Sequence, residues 1–419
     1  MGKIFLENIK PGMILAQDVH DCNGRFLLSK GLHLSEKHLR ILKIWGISEL
    51  EVCGPDFNAV NIDQHFSSKE WGKAVSMVLQ RFPDHDPRSD TSLKLVNIFA
   101  QRHCRNYSTN ISFSDRLKVL DSSAPPEKSS AYPLDPSSII SDEVRLPCVP
   151  QVFGQFSVAS KDLKASSRHL TELISSDPGL SAMLLKLVNS PAFGSSFRID
   201  TISRAVRVMG TRQLSMLAEA VTVFSRFKNI PPEIIDMPEF WKHSLACAAG
   251  AKILAQHCGL SDPENIFVCG LLHDIGRLLM LTHFPIKILE SMYASVKEGS
   301  KLHHAEKLFF HQDHAELGAT LAGKWLLPDK VVQTIRHHHH PYRSDYRLEA
   351  TLVNMADTLS IGCEIGCSGN FFIPEPDLDS WSRLKLDPYI LYQTAKIMQS
   401  RVDNFSKIFL SEIKENAVI

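Results

Sequence analysis

Hydrophobic residues recur every third or fourth position over most of the chain after Leu146, the spacing that lines one face of an α-helix. In "SRHLTELISSDPGLSAMLLKLVNS" this spacing is interrupted at Asp177-Pro178. Proline cannot donate a backbone hydrogen bond but is tolerated in a first helical turn, so one helix should end there and another begin. "ISRAVRVMGTRQLSMLAEAVTVF", "FWKHSLACAAGAKILAQHC", "IFVCGLLHDIGRLLMLTHF", "HAELGATLAGKWLL", "DKVVQTIRHHHH" and "LEATLVNMADTLSIG" continue in the same way. Strand-type alternation is absent across this stretch. The pattern predicts a mainly α protein, with an all-helical domain over residues 141–368 and a helical C-terminal extension over 369–419 whose helix falls near 387–415.

The first 53 residues read differently. Apolar "MILAQDV" and "RFLL" flank Asn23-Gly24, a strong hairpin signal because both residues accept positive φ. Ser35 is placed to cap a helix "EKHLRILKIW" that Gly46 stops, and a strand "ISELEV" follows. The expectation is a small α+β module over 1–53. Residues 54–140 are rich in proline, serine and aspartate, as in "DSSAPPEKSSAYPLDPSS", and read as a linker with some helix, notably "LKLVNIFAQRHC".

Composition narrows the function. The chain has 419 residues, 44% hydrophobic and 22% charged, enough for two or three domains with proper cores. Forty-six basic residues balance 46 acidic ones, which removes the electrostatic case for general nucleic-acid or membrane-surface binding. The start "MGKIFLENIKPGMIL" lacks the features of a signal peptide and no 18 apolar residues run together, so a cytoplasmic protein with no membrane span is expected. The nine scattered cysteines then read as reduced core thiols. Nineteen histidines, most of them after residue 240, direct the search for metal chemistry to the helical part.

Within "LLHDIGRLL" the chain sets His273 and Asp274 where a core wants leucine. A buried carboxylate without a partner costs several kcal/mol, so a cation should meet it or it should reach solvent. Other such residues lie on neighbouring helices: Glu239 and His243, four apart on one helix face, His314 in "HQDHAELG", the run 337–340, and Asp357 in "NMADTL". Each alone has an ordinary structural explanation, such as first-turn charge for Glu239 or a solvated helix end for the histidine run. Together they form an ordered nitrogen and carboxylate donor series without thiolates, suited to iron, manganese, zinc or magnesium.

These residues resemble the HD superfamily of metal-dependent phosphohydrolases and, more narrowly, the HDOD domain of bacterial signalling proteins. The resemblance rests on "LISSDPGLSAMLLKLVNSPAFG", "IDTISRAVRVMGTRQL", "GLLHDIGRLLM" and "DHAELGATLAGKWLLPDKVVQTIRHHHHP". The segment "IKPGMILAQDVHDCNGRFLLSKGLHLSEKHLRILKIWGI" is similar to the module preceding HD-GYP phosphodiesterase domains and some HDOD domains. The resemblance implies a divalent metal site of one or two ions held by Glu239, His243, His273, Asp274, His314, His338, His339 and Asp357. It implies catalytic roles for Asp274 and for Arg277, the latter near the phosphate, if the domain turns over. The HD-GYP substrate loop is missing, since the chain reads "HHPYRSDYRLE" after the histidines. The expected function is therefore a signal-transduction output protein that binds signalling proteins or a nucleotide second messenger, with a homodimer among its admissible assemblies. The alternative is a metal-dependent phosphohydrolase or phosphodiesterase. Between them stands a metal kept as a structural clamp.

Overall fold

In the computed structural model the described residues are parts of 2–53, then 68–106, and 163–415 with short breaks at 176–177, within 191–197 and 227–233, and at single positions 326, 375, 385 and 387. The chain forms two compact units, Met1–Phe66 and Ser67–Ile419.

In the first unit, β1 (Gly2–Phe5), β2 (Ile14–Leu15), β3 (Val19–His20), β4 (Phe26–Leu28) and β5 (Glu49–Cys53) make two antiparallel pieces. One sheet has the order β1-β5-β2 with Ile4 opposite Leu50, and β3 pairs with β4 around a bulge at Val19/His20. The Asn23-Gly24 turn lies outside the described residues, but the strands flanking it pair as a hairpin requires. Ser35 Oγ accepts from the His38 N–H at 3.3 Å, the expected helix cap, while most of the helix at 36–45 lies outside the described residues. Leu6, Leu15, Leu34, Leu42 and Leu50 are buried.

The second unit is helical. Its helices are α1 (Ser68–Arg81), α2 (Asp90–Asn106), α3 (Leu163–Ser175), α4 (Pro178–Val188), α5 (Ile202–Met209), α6 (Thr211–Arg226), α7 (Met237–His257), α8 (Pro263–Leu272) and α9 (Ile275–His283). There follow α10 (Pro285–Glu298), α11 (Leu302–Phe310), α12 (His314–Lys324), α13 (Asp329–His337), α14 (Arg347–Gly362), α15 (Leu378–Arg383) and α16 (Pro388–Glu415). The helix change at Asp177-Pro178 falls where proline demands it.

The helix α7 is the axis of this unit, buried without interruption from His243 to Ala255. Its small residues explain how neighbours approach it on several sides. A Cβ on Gly270 of α8 would stand 2.8 Å from Ala248 Cα, and one on Gly250 would meet the Met398 sulfur of α16. Only residues without side-chain bulk allow such spacing.

Two expectations change here. The region 54–140, read as a linker, contains α1 and α2, and these belong to the helical core. Phe82 and Phe99 are fully buried with ring centroids 6.3 Å apart, and Phe99 occupies the space that a Cβ on Gly362 would need. Arg81 fastens the end of α14: its Nη1 donates to Glu364 Oε1, Nε to the Phe371 carbonyl at 3.2 Å and Nη2 to the Ile361 carbonyl at 3.1 Å. The helix in "LKLVNIFAQRHC" falls in α2 as expected, but proline- and serine-rich flanks hid α1 and the packing of both helices, because composition reports the loops around them. The C-terminal extension likewise shares this core through Leu391, Ala395, Met398 and Val402.

The other change is at "GLLHDIGRLL", which the periodicity read as one helix and which breaks at His273-Asp274 into α8 and α9. Pro263–His283 is apolar and long enough by composition to cross a membrane, yet 89% of its window is buried inside the unit. The glycine after the break has a geometric cause. A Cβ on Gly276 would collide with the His314 carbonyl oxygen and stand 2.6 Å from Gly318 N, so α9 and α12 touch backbone to backbone. Gly276→Ala should therefore destabilise the protein by about 3 kcal/mol, the range of core overpacking, read as a lowered denaturant midpoint at unchanged slope. A midpoint equal to wild type would mean that the helices part without cost.

Candidate metal centre

The break between α8 and α9 gives His273 and Asp274 a common direction. His273 closes α8 and its Nδ1 lies 2.7 Å from the Gly270 carbonyl, one of the helix-end carbonyls that lack an intrahelical donor. His338 caps α13 in the same way, with Nδ1 2.7 Å from the Ile335 carbonyl. His243 Nδ1 lies 3.2 Å from Ser360 Oγ, whose hydroxyl donates to the Ile365 carbonyl at 2.9 Å and so must accept from the ring. In all three rings Nδ1 is the donor and Nε2 points at the centre. A hydrogen bond at Nδ1 of this kind fixes the tautomer and turns Nε2 of a histidine towards a metal.

Asp313 positions His314: its side chain accepts from the Glu316 N–H at 2.9 Å and caps α12, which begins with His314. His314 Nδ1 lies 2.6 Å from Glu306 Oε2, and its backbone N–H donates to the same oxygen at 2.9 Å. Its Nε2 faces His339 Nε2 at 3.0 Å and His338 Nε2 at 3.4 Å.

The carboxylates join two groups of nitrogens. His243 Nε2 is 3.2 Å from Asp357 Oδ1 and 3.5 Å from Asp274 Oδ2, and His273 Nε2 is 3.6 Å and 3.3 Å from the same two atoms. The other oxygen of Asp274 is 3.0 Å from His314 Nε2. This Oδ1 is buried and accepts no hydrogen bond in spite of that approach. A buried carboxylate oxygen close to a nitrogen but not aligned with a donor fits a shared cation. Metal–nitrogen and metal–oxygen bonds of about 2.1 Å place neighbouring ligand atoms about 3.0–3.4 Å apart. His243, His273, Asp274, His314, His338, His339 and Asp357 could therefore hold a divalent ion.

Glu239 is the expected ligand that the structure does not bring in. It shares a helix face with His243 but lies in the first turn of α7, where its side chain is 38% exposed and pairs with Lys242 at 3.6 Å. Its backbone contributes instead, as the Glu239 carbonyl accepts from the Cys367 N–H at 2.9 Å. Arg277, expected near a phosphate, is wholly buried and its donors are engaged. Nε donates to Glu306 Oε1 at 3.0 Å, Nη1 to Asp274 Oδ2 at 3.0 Å and to Ser368 O and Oγ at 3.1 Å, and Nη2 lies 2.8 Å from His314 Nδ1.

Sequence reasoning missed Cys247, Glu306, Ser360 and Ser368. Cys247 follows His243 by four residues, so its helical spacing was a usable signal. Glu306 in "HAEKLFF" carried none.

Charge governs the centre. Burial opposes protonation of His273, but the Asp274 and Asp357 carboxylates outweigh it and raise its pKa to about 10. Burial and Arg277 oppose protonation of His314, and Glu306 with Asp274 still raise it to about 9. Burial and the neighbouring His273 and His314 hold His338 down at about 3. Against burial, Arg277 and the adjacent His273 and His314 keep Asp274 well below the usual carboxylate range. Burial and the carboxylates push the Cys247 thiol well above its ordinary value.

These shifts set a pH dependence. A free histidine titrates near 6.5. Below that value the unfolded chain takes up a proton at position 338 that the folded chain refuses, so stability rises with pH up to about 6.5. Above it the folded chain keeps protons on His273 and His314 that the unfolded chain has lost, so stability falls towards pH 9–10. Metal-free protein should thus melt highest near pH 6.5, and a bound divalent ion, which displaces the His273 ring proton, should reduce the alkaline decline. Melting curves in chelator and in excess metal across pH 5–10 check this. An alkaline decline of equal size in both would contradict it.

Residues 146–341 match the HDOD domain. A Treponema pallidum protein of unknown character is 31% identical over 189 residues, 44% of this chain and 36% of that protein. Ribonuclease Y of Thermus thermophilus is 36% identical over 119 residues, 28% of this chain and 16% of that enzyme. The chain thus spans about a third and about a sixth of the length of these curated relatives. Among solved structures, a Shewanella amazonensis protein provisionally named a phosphohydrolase superposes with TM-score 0.51 at 24% identity, over 66% of this chain and 98% of that one. A Marinobacter aquaeolei protein provisionally named for signal transduction gives TM-score 0.50 at 19% identity, over 73% of this chain and 67% of that one. These likenesses show the fold. The family match places an HDOD domain over residues 146–341, a little under half of the chain.

Proposed function

We propose that this chain is a signal-transduction output protein whose HDOD domain works by binding a signalling partner or a nucleotide, with a divalent ion at the His/Asp centre acting as a clamp between helices. The observation that carries this reading is closure. His243, His273, Arg277, His314 and His338 are 0% exposed and Asp274 and Asp357 are 1% exposed, so a phosphate ester could meet the centre only at the half-buried His339. The guanidinium best suited to hold a phosphate is committed to Glu306, Asp274 and Ser368.

When bound, a divalent ion supplies Lewis acidity and electrostatic cross-linking. The chain's own residues do the rest: His243, His273 and His338 present Nε2, Asp274 offers one oxygen to each nitrogen group, and Arg277 with Glu306 holds Asp274 and His314 in place. Donors from α7, the α8–α9 break, α12, the end of α13 and α14 converge, so an ion there ties five parts of the unit together.

The second reading is a metal-dependent phosphohydrolase. It is favoured by the half-buried His339, where the His314–His338–His339 group comes nearest to solvent, and by the likeness to the Shewanella protein.

The two readings separate in one experiment. The chelated full-length protein is reloaded with manganese, iron or zinc, and both melting temperature and hydrolysis of bis(p-nitrophenyl) phosphate and cyclic dinucleotides are followed. We expect loading to raise the melting temperature by about 5 °C at a free ion concentration roughly a thousandfold over Kd, without turnover. Turnover that Asp274→Ala abolishes would replace the clamp by the enzyme. An unchanged melting temperature would remove the clamp.

A further inference from the structure

Cys247 lies one turn beyond His243 on α7, completely buried among the centre's donors. Its Sγ is 3.6 Å from His243 Nε2 and 3.9 Å from Asp357 Oδ1. With His273 Nε2 these four donor atoms all lie within 4.8 Å of one another. The other separations are 3.3 Å for His243–His273, 3.2 Å for His243–Asp357 and 3.6 Å for His273–Asp357. A tetrahedral ion with bonds of about 2.1 Å to nitrogen and oxygen and about 2.3 Å to sulfur requires edges of about 3.4 Å between the light atoms and about 3.6 Å to sulfur. These five edges follow that pattern, the two at sulfur being among the longest, and the sixth, between Cys247 Sγ and His273 Nε2, lies within 4.8 Å.

Independent of the cysteine, the buried Asp274 Oδ1 without a hydrogen bond points to a cation in this centre. The other oxygen of Asp274 is shared with the Arg277 guanidinium at 3.0 Å, which draws off charge it would otherwise lend to the group around His243. A further anionic donor makes up that loss.

We propose that Cys247 is a thiolate ligand, so that His243, His273, Asp357 and Cys247 form a tetrahedral site with two nitrogens, one oxygen and one sulfur for a thiophilic divalent ion, zinc foremost. The inference deepens the reading that the centre holds a divalent ion, and rests on it. On binding, the sulfur–hydrogen bond breaks, a sulfur–metal bond forms and the proton leaves to solvent; a coordinating cation deprotonates a thiol outright. A thiolate turns the preference away from magnesium, which favours oxygen ligands, and towards zinc or cobalt.

The test is optical. The full chain is stripped with chelator and loaded with cobalt(II) alone. The wild type should show intense visible bands of tetrahedral cobalt together with a near-ultraviolet thiolate-to-cobalt charge-transfer band. Cys247→Ser should keep the visible bands, since the histidines still bind, and lose the charge-transfer band completely. Visible bands without charge transfer in the wild type, or charge transfer that persists in Cys247→Ser, would overturn the cysteine ligand and leave the metal centre standing. Absence of all cobalt bands would overturn both. Should Cys247→Ser fail to fold, X-ray absorption of the zinc-loaded wild type decides: a sulfur shell at about 2.3 Å supports the ligand, and a shell of nitrogen and oxygen alone refutes it.

Discussion

Three carboxylates at the centre, Asp274, Glu306 and Asp357, are no more than 1% exposed, with one guanidinium, Arg277, among them. Ionised groups in such surroundings cost several kcal/mol each unless partners compensate them, and removing one partner strands the rest. One guanidinium against three carboxylates leaves two negative charges. In the metal-free protein the raised histidines, His273 and His314, meet them with protons. A single divalent ion meets the same two charges. If Cys247 adds a thiolate, the balance holds with His314 still protonated beside Glu306, 2.6 Å away. Neutrality of this interior links the helix break, the ring orientations and the choice of cation.

The local structure serves that balance. A continuous helix through residues 263–283 would send His273 and Asp274 in different directions around its axis, and the break after Leu272 sends both to the centre. Gly276 lets α12 come close enough for His314 to reach Asp274, and Asp313 fixes where α12 begins. Small residues along α7 admit α8 beside it and bring His243 and His273 to 3.3 Å. The acceptors at Nδ1 are helix-end carbonyls, Gly270 and Ile335, together with the Ser360 hydroxyl, so the fold's own unsatisfied groups orient the rings.

Much of this was legible because it is periodic or local. Helical spacing foresaw α3 to α7, the apolar stretch that becomes α8 and α9, and α12 to α14, while α10 and α11 were passed over. The apolar background of "LLHDIGRLL" made the His-Asp pair conspicuous, and His314 and Asp357 stood out likewise. What failed was tertiary. The four-residue spacing of Glu239 and His243 puts them on one face, but α7 emerges into solvent at its first turn and Glu239 goes with it. The same spacing in the other direction placed Cys247 inside, and a donor set assumed to lack sulfur passed over it. Glu306 and Ser368 act across long sequence separations that no local pattern encodes. The helix in "LKLVNIFAQRHC" was legible as α2, whereas α1, and the anchoring of both in the core by Phe82 and Phe99, were masked by proline- and serine-rich neighbours.

The buried carboxylates Asp274, Glu306 and Asp357 are proposed to be neutralised by a divalent ion. Elemental analysis of the untagged full-length protein, purified without chelator and compared with His273→Ala/Asp274→Ala, tests it most directly. The account predicts about one equivalent or more of zinc, iron or manganese per chain in the wild type, and loss of that metal in a variant that still folds. A folded wild type that carries no metal and takes up none on reloading would contradict it, and would leave Arg277 and the protons on His273 and His314 to meet the buried carboxylates.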